Sequence, residues 1–389
     1  MNKVAVVGGA GHVGLPLSLV IAESGLETIV IDINEEKINS IRNGEFPFVE
    51  RGGQELLDKS KDFPISYTTE YSVLKECDVI ILTIGTPIDE YHNPNLSPVY
   101  KTIDQLKPYL KDGQVLVLRS TLFPGTCEKI FARLQQEGFK ISVSFCPERI
   151  AQGYALEEIK RFPQIVSGSD SHAIDTAKAL FLRFASEVIE LELAEAELAK
   201  LYTNAWRYIT FAVANQFYII AEEKGFDFFK IRKSIMHNYE RASNFPKSGF
   251  SAGPCLFKDT MQLEAFSRKN FNLGTAAMHI NEILPNFLVD RVKLKHDLSF
   301  IKVGILGMSF KPNNDDFRES LAYKLRKILT YENAIVMCTD PYIDDPSFFK
   351  LNDVLTQCDL IFIGCPHDEY KNLDLSEIDI VDCWELQES

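Results

Sequence analysis

With 389 residues, 46% of them hydrophobic and 25% charged, the chain is long enough for two or three globular domains, and its composition is neither that of a disordered segment nor that of a membrane protein. The formal charge is −14, from 41 Lys plus Arg against 55 Asp plus Glu, which argues against a nucleic-acid partner and leaves room for a small anion held locally. The eight cysteines form no CxxC pair and show no regular disulfide spacing, so a reducing, cytoplasmic setting is expected and no metal site is predicted.

The chain starts by running straight into a strand, with no basic region and apolar signal core ahead of it. Residues 4–7 are a β-branched run ending in glycines, 15–24 are amphipathic, and 27–33 form a second run, which reads as strand, helix, strand. Further strands are predicted at 79–84, 115–119 and 142–145, separated by helix-like sequence. From about Ala194 the pattern turns helical, first through Glu222 and then at 229–237, 260–267 and 274–295. Its most apolar part, 208–220, is interrupted by Asn215 and Gln216 and is too short to span a bilayer, so no membrane partner is expected. A strand at 302–306, a helix at 320–329 and strands at 334–338, 360–364 and 378–382 repeat the α/β alternation. The predicted fold is therefore α/β. Two doubly wound Rossmann-like parallel-sheet domains, 1–193 and 298–389, are joined by a helical middle domain, 194–297.

Gly9-Ala10-Gly11-His12-Val13-Gly14 follows the first strand and opens a helix, and Asp32 ends the next strand. This is the context a dinucleotide fingerprint requires. Gly9 is expected to make the tight turn, Gly11 to let backbone approach a pyrophosphate, and Gly14 to let helix pack on strand. Asp32 favours NAD over NADP, because a carboxylate accepts from a ribose 2′-hydroxyl and repels a 2′-phosphate. Gly8 would loosen the turn, and His12 reads as an exposed loop residue.

Far downstream stands Cys255, in Gly-Pro-Cys-Leu-Phe-Lys-Asp at 253–259. Pro254 suits a first helical position, which places Cys255 near a helix N-terminus, where the dipole and Lys258 favour a thiolate. A thiolate can capture an aldehyde as an adduct that still carries a hydride to lose. The other seven cysteines read as small core residues. Lys200 and Asn204 lie four apart on one helix face and could donate to an oxyanion beside that thiol. Spacing alone equally allows a solvated Glu197–Lys200 pair.

With these pieces assembled, the chain resembles the UDP-sugar 6-dehydrogenases, which oxidise C6 of a nucleotide hexose to the carboxylate with two NAD. The resemblance rests on Gly-His-Val-Gly-Leu-Pro-Leu at 11–17, Thr86-Pro87, Ser120-Thr121 with Pro124-Gly125-Thr126, and Cys-Pro-Glu-Arg at 146–149. It continues through Ala-Glu-Leu-Ala-Lys-Leu-Tyr-Thr-Asn at 196–204, the Cys255 segment, and Phe-Lys-Pro-Asn-Asn-Asp-Asp-Phe-Arg-Glu-Ser at 310–320. It implies NAD as cofactor, a UDP-sugar as substrate and a homodimer. Cys255 resembles the nucleophile, Lys200 and Asn204 the oxyanion and positioning pair, Asp259 the carboxylate beside that lysine, and Thr121 and Glu148 the groups near the nicotinamide and the reactive water.

The resemblance also places His12, Val13, Thr86 and Arg318 with the cofactor, and Arg149, Phe250 and Lys311 with the substrate. Arg241 resembles an arginine offered across the dimer to the sugar nucleotide. UDP is then expected on the C-terminal domain, with the hexose directed toward NAD. Gln152 stands where relatives acting on UDP-glucose carry a second glutamate, and an amide is no general base, so Glu148 or Lys200 with Asp259 would manage the water. Cys-Pro-Glu-Arg itself resembles the branch acting on N-acetylated sugars. Two rival readings are a two-electron hydroxy acid dehydrogenase, which leaves the second α/β region unexplained, and a non-catalytic NAD-sensing protein.

Overall fold

The computed structural model describes residues 1–89, 94–251, 253–268 and 270–386. The chain forms two compact units, Met1–Thr203 and Asn204–Ser389.

In the first unit the elements run β1 (Lys3–Val7), α1 (Gly14–Glu23), β2 (Glu27–Ile31), α2 (Glu35–Arg42), α3 (Gly53–Lys59), β3 (Ile65–Thr68), β4 (Val79–Leu82) and α4 (Ser97–Leu106). They continue as β5 (Val115–Leu118), α5 (Thr126–Gln136), β6 (Ser142–Phe145), α6 (Ala155–Arg161), β7 (Gln164–Gly168), α7 (Ser171–Phe181) and β8 (Val188–Glu190). The sheet order is β3-β2-β1-β4-β5-β6-β7-β8. Val4 and Val6 of β1 enter one apolar cluster and Ala5 and Val7 another, so alternate residues of one strand serve opposite faces and the strand is buried on both sides. The chain order reverses direction beside β1, between β2 and β4, and loops at the carboxyl ends of strands there form the usual ligand crevice.

Strands β3, β7 and β8 are additions to the sequence reading, and β7 runs antiparallel to β6 in an otherwise parallel sheet. Their short runs lack the continuous apolar signature of the central strands. Ile65–Thr68 has no fully buried residue, and Val188–Glu190 has only three residues.

Helix α8 (Leu193–Glu223) extends from the first unit into the second. The second unit continues with α9 (Phe228–Met236), α10 (Leu256–Phe266), α11 (Asn272–Lys293), β9 (Lys302–Leu306), α12 (Leu321–Tyr331), β10 (Ile335–Thr339), α13 (Leu351–Gln357), β11 (Leu360–Ile363) and β12 (Asp379–Val381). Its four-stranded sheet is wholly parallel, in the order β10-β9-β11-β12. Ala214, Tyr218 and Ala221 of α8 and Leu284 and Leu288 of α11 share one core with Val303 and Ile305 of β9. The helical stretch after residue 204 is thus packed into the same unit as the second Rossmann-like sheet. The fold is α/β with two doubly wound sheets and a helical segment between them in sequence, as expected. Among the described residues no helix is long and apolar enough to cross a membrane.

Candidate active site

In the first unit the glycine-rich loop crosses the top of β1. The left-handed turn falls on Gly8, with φ +78°, and not on Gly9, which corrects the expected assignment of the tight turn. Gly9 is required for a different reason: a Cβ there would lie 2.7 Å from both Val30 Cγ1 and the Val6 carbonyl. A Cβ on Gly14 would lie 2.4 Å from the Gly8 carbonyl, whereas one on Gly11 would meet only that carbonyl, at 3.5 Å. The second glycine therefore faces open space and the third is packed, as a pyrophosphate cradle demands. Helix α1 begins after Val13 with no side-chain cap and no acid in its first turn, leaving the positive end of its dipole for an anion.

Asp32 Oδ2 accepts the Ala10 N–H at 3.0 Å and Oδ1 the Asn34 N–H at 3.0 Å, so the carboxylate is fixed at the mouth of the loop. This donor set fits a dinucleotide. Thr83, which sequence reasoning passed over, donates its hydroxyl to the carbonyls of Val7 and Gly8, both at 3.0 Å, and so secures the turn. His12 is half-buried with its ring 4.0 Å from that of Phe48, and not simply exposed. Thr86 is buried after β4, and Thr121 is half-buried after β5.

Glu148 is committed to a buried ion pair. Its Oε2 accepts from Nε and Nη2 of Arg119, the Nε contact at 2.9 Å, and its Oε1 accepts the N–H groups of Arg149 and Ile150 at 2.7 and 3.0 Å. Arg119 is 2% exposed and also donates to the Cys146 carbonyl and to Gln164 Oε1. Through these contacts Glu148 braces the Cys-Pro-Glu-Arg loop against Arg119. The Arg149 guanidinium in turn donates to the Pro163 carbonyl.

The solvated Glu197–Lys200 pair is also corrected. Glu197 is fully buried and accepts the N–H groups of Gly125 and Cys127, at 2.6 and 2.9 Å, capping α5 in place of a side chain of its own loop. Burial raises its pKa above the usual carboxylate range, against the opposing effect of those hydrogen bonds. Lys200, buried at 8% exposure, lies one turn before Asn204 on α8.

Cys255, in the second unit, is exposed, and the other seven cysteines of the chain are buried. It is the N-cap residue of α10, which puts Pro254 before the cap and corrects its expected place as first helical residue. One turn on, Asp259 is fully buried; its Oδ2 accepts from Asn204 Nδ2 at 2.6 Å and its Oδ1 lies 3.4 Å from Lys258 Nζ. Lys258 thus pairs with the carboxylate.

The strand of loop leading to Cys255 is held by amides that the sequence showed only as interruptions of an apolar stretch. Asn215 exchanges two hydrogen bonds with the backbone of Gly249, at 3.0 and 2.8 Å, and donates to Asn281 Oδ1 at 2.9 Å. Phe250 is buried with its ring 6.0 Å from that of Trp384. Lys311 is half-buried on the loop after β9, and Arg241 is exposed. Arg318 is bidentate to Asp316, at 2.9 and 2.6 Å, and that carboxylate raises the guanidinium pKa further, with a smaller contribution from Cys255.

Residues 2–185, 194–283 and 304–383 match the NAD binding, central and UDP binding domains of the UDP-glucose/GDP-mannose dehydrogenase family. The chain is 32% identical over 386 residues to the UDP-N-acetyl-D-mannosamine dehydrogenase of Methanocaldococcus jannaschii, covering 97% of this chain and 88% of that one. Among solved structures, the UDP-D-ManNAc dehydrogenase of Pyrococcus horikoshii superposes with a TM-score of 0.91 at 26% identity, covering 100% of this chain and 96% of that one. The native UDP-N-acetyl-mannosamine dehydrogenase of Staphylococcus aureus gives 0.88 at 28% identity, with the same coverage of 100% and 96%. A fingerprint loop built for a dinucleotide, a lone exposed thiol and this end-to-end similarity agree, and the chain belongs to the UDP-glucose/GDP-mannose dehydrogenase family of NAD-dependent oxidoreductases.

Proposed function

We propose that the protein oxidises the 6-hydroxyl of a UDP-N-acetylhexosamine, UDP-N-acetylmannosamine first among them, to the uronate in a four-electron reaction run through Cys255. The observation that carries this reading is the exposed Cys255 at the start of α10, one turn from an Asp259 bonded to Asn204. The name of the 32% identical relative supports the N-acetylated sugar, as do Cys-Pro-Glu-Arg and Gln152.

The 8–14 loop and Asp32 would hold NAD, which would supply the hydride acceptor, a fresh molecule for each of the two oxidations. Lys200, or a water held by Asp259 and Glu148, takes the 6-hydroxyl proton as hydride leaves the carbon. The Cys255 thiolate then adds to the aldehyde carbon, and the carbonyl oxygen becomes an alkoxide that Lys200 and Asn204 stabilise. Loss of the second hydride leaves a thioester on Cys255. Water adds to it, the C–S bond breaks, and the carboxylate leaves with the thiolate regenerated. With Gln152 unable to act as a base, Glu148, or Lys200 with Asp259, serves this hydrolysis.

Thr121, Thr86, His12, Val13 and Arg318 serve the cofactor, and Arg149, Phe250 and Lys311 hold the sugar nucleotide. The working form is a cytoplasmic homodimer that brings Arg241 to the neighbouring site. Trp206, Val213, Phe217 and Ile220 support this, since they lie along one side of α8 with exposures of 68, 40, 47 and 49%. The domain division is 1–193 for NAD, 194–297 for the thiol and dimer contact, and 298–389 for UDP.

The test is a panel of UDP-glucose, UDP-galactose, UDP-N-acetylglucosamine and UDP-N-acetylmannosamine, followed by NADH and by product mass. Two NADH per sugar and a uronate are expected from UDP-N-acetylmannosamine, and none from Cys255→Ala. One NADH per substrate, or an alanine variant that still makes two, overturns the covalent scheme.

A further inference from the structure

Within the second unit, the loop that delivers Cys255 rests on a ring from the segment after β9. A Cβ at Gly253 would lie 2.5 Å from Cδ2 and 2.8 Å from Cε2 of Phe310, so the ring fills the place of a side chain there. Gly253 has φ +102°, a conformation open to glycine, and its N–H donates to the Glu319 carbonyl at 3.3 Å. Cys255 follows two residues later. The residue after Phe310 is Lys311, which the proposed function assigns to the nucleotide.

Phe310 is held firmly from beneath. Its N–H donates to the Asp316 carbonyl at 3.0 Å, and Ser309 Oγ donates to the Lys311 carbonyl at 2.8 Å. The fully buried His367 accepts the Asn313 N–H on Nδ1 at 2.9 Å, which assigns its proton to Nε2, 3.1 Å from Asp340 Oδ2 and 3.3 Å from Ser309 Oγ. Asp340 Oδ2 accepts the N–H groups of Met308 and Ser309 at 2.6 and 3.0 Å. A loop whose backbone is tied to a buried, satisfied network shifts as one piece. A ring in contact with glycine backbone passes that shift on, because interiors are close-packed and barely compressible.

We propose that Phe310 is a positioning residue that couples occupation of the nucleotide site beside Lys311 to the placement of Cys255. The thiol is then set for attack when a uridine nucleotide is present. The proposal rests on the nucleotide assignment made above, and it adds to that assignment a link between the nucleotide-binding segment and the nucleophile.

The experiment measures alkylation of Cys255 by iodoacetamide, by peptide mass, with and without UDP, which lacks the sugar. In the wild-type protein UDP should change the rate about fivefold or more, the lower range of coupling between sites. Phe310→Leu, and Phe310→Ala if it folds, should abolish that response while UDP affinity by calorimetry stays within about threefold, a change of well under 1 kcal/mol. Turnover of the sugar nucleotide by Phe310→Leu should fall about tenfold to a hundredfold in kcat, with KM little changed, as expected of misplacement of a reacting group. A Phe310→Leu protein that binds UDP and keeps the wild-type alkylation response overturns the proposal. So does a wild-type protein that binds UDP with no change in alkylation, while the nucleotide assignment stands. Failure of the wild-type protein to bind UDP at all sinks both.

Discussion

Asn204 Nδ2 donates to Asp259 Oδ2 at 2.6 Å, joining helix α8 to the first turn of α10 through two buried side chains. Lys258 stands at the other carboxylate oxygen, 3.4 Å away, so the group is an amide, a carboxylate and an ammonium directly beneath the start of the Cys255 helix.

Removing the amide should therefore cost stability as well as rate. Asn204→Ala should lose about 1.5–3 kcal/mol, as for a hydrogen bond to a charged group, and Asp259→Ala about 3–5 kcal/mol, as for a broken buried pair. Asn204→Asp should be worse than Asn204→Ala, because it sets two carboxylates against each other. Urea denaturation ranks the three, and an aspartate variant as stable as the alanine one contradicts the arrangement.

A second consequence concerns thiol chemistry. Burial pushes the thiols of Cys77, Cys146, Cys338 and Cys358 up to about 11 and that of Cys365 up to about 12, and raises those of Cys127 and Cys383 well above the ordinary thiol range. Cys255 is exposed. Ellman titration of the native protein at pH 8 should give one fast thiol, absent in Cys255→Ala, with the remainder appearing only on unfolding.

Glu148 and Arg119 should behave as a structural pair. Glu148→Ala should lower stability by about 3–5 kcal/mol, since it strands a buried guanidinium, and an Arg119→Met, Glu148→Leu double variant should recover much of that. Thermal melts and turnover should fall together in the single variant. A Glu148→Gln protein of unchanged melting temperature and lost turnover would assign Glu148 a direct part in the chemistry.

Coenzyme preference should turn on Asp32, whose carboxylate is fixed by the N–H groups of Ala10 and Asn34. Asp32→Ser removes a negative charge facing the position of a 2′-phosphate, and the NADP to NAD ratio of kcat/KM should rise about tenfold or more, equivalent to roughly 1.4 kcal/mol. No change in that ratio would show that the carboxylate does not meet the ribose.

Acid stability should depend on Asp340. Burial pushes its carboxyl up, but the hydrogen bond from His367 and the N–H groups of Met308 and Tyr342 outweigh this and hold it below the usual range. A depressed carboxyl contributes stability that is present above the unfolded pKa of about 3.9 and is lost as pH falls through the folded value. Unfolding free energy measured from pH 7 to 3 should therefore decline below about pH 4, and Asp340→Asn should flatten that limb.

Much of this molecule is legible in one dimension. The central strands β4 and β5 are continuous apolar runs and β1 is one after Lys3, because a parallel sheet covered on both faces leaves few polar positions. The peripheral β3, β7 and β8 carry no such run and escaped notice. In the site, spacing put Lys200 and Asn204 on one face and Cys255 near a helix start, since both are local helical facts. Asn215 was visible as an amide in an apolar stretch, but its partners Gly249 and Asn281 lie 34 and 66 residues away. No period in the sequence encodes a contact of that separation.

The sequence by itself determined the α/β alternation, the dinucleotide loop with its acid, and the candidate thiol, because each depends on neighbours within a turn or a strand. The tertiary structure decided which carboxylates are available to do chemistry. Glu148, Glu197 and Asp259 look alike as letters, yet Arg119, the α5 N–H groups and Asn204 with Lys258 hold them in three different buried settings. A buried charge is governed by the partners that compensate its lost hydration, and those partners are brought by folding from distant parts of the chain.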